Sequence, residues 1–417
     1  MTLKRVVVTG MGALTPIGNT VEEYRQALFA GKSGAAPITR FDASKFKTRF
    51  ACEVKNFDPT LFMDRKEARK IDAFAQYAIV SSDEAIKMAG LTEGNFDPDR
   101  VGVIWASGIG GLDTLVEELV AFGKGDGTPR FNPFFIPKTI VDIAAGHISI
   151  RNNFRGPNYA AVSACASSTH AIIDAMTHIR YGKADIIVTG GSEAAVNIGG
   201  IGGFNAMHAL STNNDQYESA SRPFDKTRDG FVLGEGAGAL VLEEYEHALK
   251  RGATIYAEII GGASTADANH ITAPHPEGLG AKRVMQLALQ DAGMSPEDID
   301  YVNVHGTSTP LGDLAETKAI AEVFGAHAYN LNISSTKSMT GHLLGATGVI
   351  EALACIFAIQ DSKIPPTINH FEDDPDIDPK LNLTFHKAQN KNVRAALSNT
   401  FGFGGHNASI IVKKVAE

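Results

Sequence analysis

Ala160-Ala161-Val162-Ser163-Ala164-Cys165-Ala166-Ser167-Ser168-Thr169-His170 reads as the end of a buried strand, a tight turn through small residues and the start of an alanine-rich helix. Working outward, short apolar β-branched runs alternate with longer amphipathic stretches, the pattern of α/β layering with buried strands. Strands are predicted over 5–9, 101–106, 160–163, 186–189 and 237–243, with a second series over 255–260, 301–304, 330–334, 383–385 and 409–412. Helices are predicted over 21–30, 65–89, 167–181, 279–292, 314–324 and 343–359.

The opening unit has an echo in Ile333-Ser334-Ser335-Thr336-Lys337 and the helix that carries Gly345 and Gly348. Arg5-Val6-Val7-Val8-Thr9-Gly10-Met11-Gly12 is matched by Tyr256-Ala257-Glu258-Ile259-Ile260-Gly261-Gly262. The 101–106 strand, ending in Ser107-Gly108-Ile109-Gly110-Gly111, is matched by the 301–304 strand, ending in His305-Gly306-Thr307-Ser308-Thr309. Three matches in the same order predict a duplication with its boundary near 250–256, hence halves of residues 1–254 and 255–417.

Composition narrows the function. Against 38 Lys+Arg stand 47 Asp+Glu in 417 residues, a net charge of −9 that argues against a nucleic-acid binder. Cys52, Cys165 and Cys355 form neither a disulfide framework nor a zinc motif, and fit a reducing compartment. Met1-Thr2-Leu3-Lys4-Arg5 leads into only three valines, too few for a signal peptide, and no apolar run is expected to approach membrane-spanning length. A soluble cytoplasmic protein with no membrane partner is expected.

Cys165 stands at or near a helix N-terminus, whose N–H groups favour a thiolate and can hold an oxyanion, so a lowered thiol pKa and a nucleophile are expected. Cys52 and Cys355 read as buried hydrophobes. His305 and His342 follow predicted strands, at the carboxyl ends where open α/β sheets build sites. Neither has a carboxylate or second cysteine at ligand spacing, so no metal is expected. Lys337 lies in a glycine- and serine-rich loop, and Glu351 inside an apolar helix. Pairing them spares each an uncompensated buried charge, with Asp313 a candidate third member. Ser398-Asn399-Thr400-Phe401-Gly402-Phe403-Gly404-Gly405 would by itself read as a turn before the last strand. The Gly10-Met11-Gly12 turn resembles a dinucleotide fingerprint but lacks the third glycine.

Together, Cys165 in Ser-Ala-Cys-Ala-Ser, His305 in Val-His-Gly-Thr-Ser-Thr-Pro-Leu-Gly-Asp, Lys337 and His342 in Lys-Ser-Met-Thr-Gly-His-Leu-Leu-Gly-Ala, and Phe-Gly-Phe-Gly-Gly resemble the β-ketoacyl-acyl-carrier-protein synthases, over about Lys4 to Val412. The resemblance implies a thiolase-like, five-layered α-β-α-β-α fold of two duplicated halves, a homodimer, and no cofactor. The Cys-His-His set is similar to elongating condensing enzymes. Ile109 and the 268–276 segment are similar to the second type.

The implied chemistry is a decarboxylative Claisen condensation. Cys165 takes an acyl chain from acyl carrier protein, and malonyl carrier protein then loses CO₂ and lengthens the chain by two carbons. His305 and His342 would stabilise the enolate, with Thr307 and Thr309 at the malonyl site and Lys337, Glu351 and Asp313 setting their field. Backbone N–H groups of Cys165 and Phe403 would hold the acyl oxyanion, and Phe403 with Phe401 would gate the site. Ile109, Phe134, Phe135 and Phe204 would line the acyl pocket. Arg65, Lys66, Arg69, Lys70 and Thr272 would dock the carrier. Where the family often carries an entrance arginine, this chain has Met207-His208.

Overall fold

Val6–Leu14 (β1) is buried along its whole length, as a strand covered on both faces must be. The computed structural model describes residues 3–91 and 94–415, so Met1 and Thr2 of the N-terminal reading lie outside the described residues. Val101–Ala106 (β2), Asn158–Ala161 (β3), Ile186–Glu193 (β4) and Gly236–Glu244 (β5) complete a first set of five strands. Ala257–Ala266 (β6), Tyr301–Asn303 (β7), Asn332–Ser334 (β8), Ala395–Gly402 (β9) and His406–Lys413 (β10) form a second.

The sheet runs β3-β2-β4-β5-β1-β6-β10-β9-β7-β8, the same order outward from the centre in both directions. In each half the third strand is parallel to the second and the second to the fourth, and the fourth and first are antiparallel to the fifth. Within the sheet, the described strands of the two halves meet where Val7 and Val8 face Glu258 and Ala257. The three sequence echoes fall on β1/β6, β2/β7 and β3/β8, so the duplication extends to strand order and direction.

Ala73–Met88 (α1) packs on the outer face of the first half, against β1, β4 and β5. Ser167–Arg180 (α2) and Thr347–Asp361 (α5) touch strands of both halves and lie between them. Leu279–Ala292 (α3), with Pro310–Phe324 (α4) beside it, covers the second half. Five layers result, α-β-α-β-α.

Several expectations need correction. An apolar stretch of membrane-spanning length does exist, Leu344–Asp361 with mean hydropathy 1.4, but 89% of it is buried inside the protein. It is apolar all round because protein surrounds it. Gly10 and Gly12 are not in a turn: they lie within β1, where a Cβ would stand 2.1 Å from the Ala85 carbonyl oxygen and 1.8 Å from that of Ser81. They are glycines so that α1 can lie on the strand backbone, which removes the dinucleotide reading.

The helix predicted over 65–89 is two, Arg65–Ala68 and α1. Asp72 interrupts it by capping Phe74 N–H at 3.2 Å while accepting from Thr114 N–H at 3.0 Å. The 383–385 segment makes one bridge only, between Thr367 and Phe385, because Thr384 and His386 take positive φ. β9 was missed. Ser398, Asn399 and Thr400 look like turn residues but are buried, Asn399 accepting from Ser409 Oγ at 2.5 Å and Thr400 donating to Thr169 Oγ1 at 2.7 Å.

Candidate active site

Between β3 and α2 the chain turns through Ala164, held at φ 51°, and delivers Cys165 one residue before the Ala166 N-cap of α2. A non-glycine residue with positive φ at such a turn is a strained feature that surrounding structure must hold. Gly402 of β9 is part of that hold: a Cβ there would meet Ser163 O at 2.7 Å and Cys165 N at 3.1 Å.

The predicted low thiol pKa is not what this position gives. Burial pushes the Cys165 thiol up to about 12, while Lys337 and the backbone N–H groups of Phe403 and Cys165 itself pull the other way. Desolvation outweighs the helix terminus. Those two N–H groups are directed at the sulfur, and paired backbone donors of this kind can hold an oxyanion.

His342 and His305 come from the other half, after the single helical turn Lys337–Thr340 and after β7 respectively. His342 Nε2 lies 3.0 Å from Cys165 Sγ, and its Nδ1 lies 2.9 Å from Thr347 Oγ1. The His305 ring stands edge-on to His342, 5.3 Å between centroids, and 5.6 Å from the Phe401 ring. Burial first, then the charge of Lys337, holds both imidazoles well below the ordinary histidine value. Both are therefore neutral and able to donate from one nitrogen.

Lys337 and Glu351 are buried and paired, Nζ to Oε1. Burial pushes the Glu351 carboxyl up to about 8 against the pull of Lys337. Asp313 does not join them. It accepts from Phe224 N–H at 3.0 Å and Ser308 N–H at 3.2 Å and faces Arg228 at 3.6 Å, bracing the 307–309 loop instead.

The acid that shares the field of Lys337 is Glu316, one turn further along α4. It accepts from His305 N–H and Gly306 N–H at 2.9 Å each, fixing the His305 loop. Glu193 at the end of β4 plays a matching part. It is wholly buried and gathers the N–H groups of Gly108 (2.7 Å), Ile109 (3.2 Å) and Gly345 (2.9 Å). Neither carboxylate stood out in the sequence. The usable signal was an acidic residue ending an otherwise uncharged, buried strand or facing into an apolar helix layer.

A cavity of about 600 Å³ opens over the cysteine. Ile109, Phe204, Thr272, Thr307, Thr309, Phe401 and Phe403 all line it, as do Met207 and His208. Gly404 N–H donates to Ile271 O at 2.7 Å, tying the loop after Phe403 to the segment that carries Thr272. Phe134 and Phe135 do not line this cavity; Phe135 stacks on Phe131 at 5.2 Å, and Lys70 Nζ lies 5.2 Å above the Phe134 ring. Arg65, Lys66, Arg69 and Lys70 are all exposed. They follow a single helical turn capped at Arg69 rather than neighbouring turns of one long helix.

A thiol facing neutral imidazole donors, with an internal ammonium behind them and backbone donors beside it, suits carbon–carbon bond formation through an acyl thioester. With the duplicated five-layered fold, this defines the class of thiolase-like condensing enzymes. The family model described as beta-ketoacyl synthase, N-terminal domain, matches residues 3–248, and that described as its C-terminal domain matches residues 256–371. A 3-oxoacyl-[acyl-carrier-protein] synthase 2 of Synechocystis is 50% identical over 99% of this chain and 98% of its own length. One of Coxiella burnetii is 48% identical over the full length of both. Among solved structures, a type II polyketide synthase acyl-carrier protein in complex with its ketosynthase bound to the hexaketide matches with TM-score 0.92 and 34% identity, over 99% of this chain and 100% of that one. The chain belongs to the β-ketoacyl synthase family. It is an acyl-transferring condensing enzyme.

Proposed function

We propose that this enzyme lengthens acyl chains on acyl carrier protein by two carbons in fatty-acid synthesis. The observation that carries the reading is Cys165 Sγ 3.0 Å from His342 Nε2 beneath a single cavity that His305 also lines.

In the first half-reaction the Cys165 sulfur attacks the acyl carrier thioester and expels the carrier thiol, which leaves with the cysteine proton. In the second, the bond between the malonyl α-carbon and its carboxylate breaks and CO₂ departs. The electron pair stays as an enolate, held by N–H donors of His305 and His342, with Thr307 and Thr309 beside the malonyl group. The α-carbon then attacks the Cys165 thioester, whose oxyanion is held by the N–H groups of Cys165 and Phe403. The cysteine leaves with the bonding pair and takes a proton from water to regain its thiol, and a β-ketoacyl carrier two carbons longer remains. Lys337, held in place by Glu351, sets the field around the histidines.

Ile109 and Phe204 bound the acyl end, and Phe403 with Phe401 gates it. Arg65, Lys66, Arg69, Lys70 and Thr272 dock the acidic carrier, supported by four exposed cations on a chain that is acidic overall. A homodimer is favoured by β3, an edge strand followed by exposed Val162, and by the exposed Phe134 and Ile136, through which Phe134 and Phe135 reach the partner's pocket. The halves divide at residues 254/255. Three free thiols suit the cytoplasm.

The test is product analysis with acyl and malonyl carrier proteins. The wild type releases CO₂ and yields the longer β-ketoacyl carrier, whereas Cys165→Ala yields none. Equal product from the variant would end the reading.

A further inference from the structure

Thr347 is wholly buried at the first position of α5, and the chain between it and His342 doubles back through Leu344 at φ 47°. This places Thr347 Oγ1 2.9 Å from His342 Nδ1, on the side of the ring opposite Cys165. Among the described residues this hydroxyl has no other hydrogen-bond partner. Two arrangements are open to the pair, and burial distinguishes them. If Nδ1 carried the hydrogen and donated, the threonine hydroxyl hydrogen would be sealed in the interior without an acceptor, at the full desolvation cost of an unmade bond. If the hydroxyl donates, both groups are satisfied and the imidazole hydrogen sits on Nε2. The Phe231 ring, edge-on at 5.3 Å, packs against the imidazole on another side and resists a flip that would exchange the two nitrogens.

We infer that Thr347 is a positioning residue that fixes the tautomer of His342, so that Nε2 always presents a hydrogen to the sulfur and to the cavity. His342 is thereby a standing donor for the enolate and not a base for the thiol. The inference rests on the donor role proposed above for His342.

The experiment combines nitrogen-15 spectra of imidazole-labelled protein, with His342→Ala assigning the signals, and rates of malonyl-carrier decarboxylation. In the wild type His342 Nε2 reads as protonated and Nδ1 as bare. Thr347→Val, which keeps the shape and removes the hydroxyl, mixes the tautomers and slows decarboxylation by about three- to tenfold, the worth of one neutral hydrogen bond. Thr347→Ser restores both. A protonated Nδ1 in the wild type, or an unchanged tautomer and rate in Thr347→Val, overturns the inference while leaving the donor role intact. Full decarboxylation by His342→Ala instead overturns the donor role, and the inference falls with it.

Discussion

Lys337 and Glu351 are each almost without solvent contact, so each is tolerable only because the other is present. Lys337→Ala leaves the Glu351 carboxyl without its partner in an apolar interior, and breaking a buried pair costs about 3–5 kcal/mol. We expect a lowered denaturation midpoint together with loss of condensation. The double variant Lys337→Met/Glu351→Leu separates the two effects: stability recovers, while condensation stays down by at least about 100-fold, the worth of a lost electrostatic stabiliser. Turnover recovering with stability would remove the electrostatic role.

The histidines give a second expectation at this scale. Burial and Lys337 hold both imidazoles well below the usual value, so on acidification they remain neutral where an exposed histidine would already be charged. Protonation of these histidines should therefore cause no loss of decarboxylation centred near pH 6.5; a fall centred there would signal ordinary histidines. Cys165, His305, His342 and Lys337 were legible because each sits in a small-residue loop at a strand end. Asp313 was misjudged because Asp313 and Glu316 lie three residues apart on α4. Spacing cannot tell which will face Lys337; Arg228, far away in sequence, captures the first.

Elements were legible where periodicity was clean and lost where a side chain did backbone work. The 279–292 helix and the 101–106 strand match their predicted bounds. Asp72 breaks what the pattern reads as one helix, and β9 hides behind polar residues whose partners come from α2 and β10. Gly10 and Gly12 show the same limit, since their purpose is the approach of α1.

That approach is testable. Gly12→Ala drives a methyl into the Ser81 carbonyl, where no flexible side chain can yield, and should cost at least about 3 kcal/mol. Gly203→Ala, in the helix Ile198–Ala206 with nothing within 4 Å, should be neutral or stabilise by up to about 1 kcal/mol. Urea midpoints compare them; equal midpoints would mean that the β1–α1 contact is softer than its geometry.

For the whole molecule, duplication sets the division of labour. The first half brings the cysteine on the turn after β3. The second brings both histidines and the lysine from the turns after β7 and β8, and the site forms where α2 and α5 meet between the two halves of the sheet. The echoes revealed the repeat, but the five layers followed from the family resemblance, since periodicity does not say which helices are enclosed. The central claim is that Cys165 carries the growing chain while the second half prepares the malonyl carbon. Intact-mass analysis tests it most directly: acyl carrier protein is added first, the adduct mapped, and malonyl carrier protein added second. An acyl group on Cys165, absent in Cys165→Ser and discharged on the second addition as a β-keto product two carbons longer, is the predicted result. Product formed with no acyl adduct on Cys165 would contradict it.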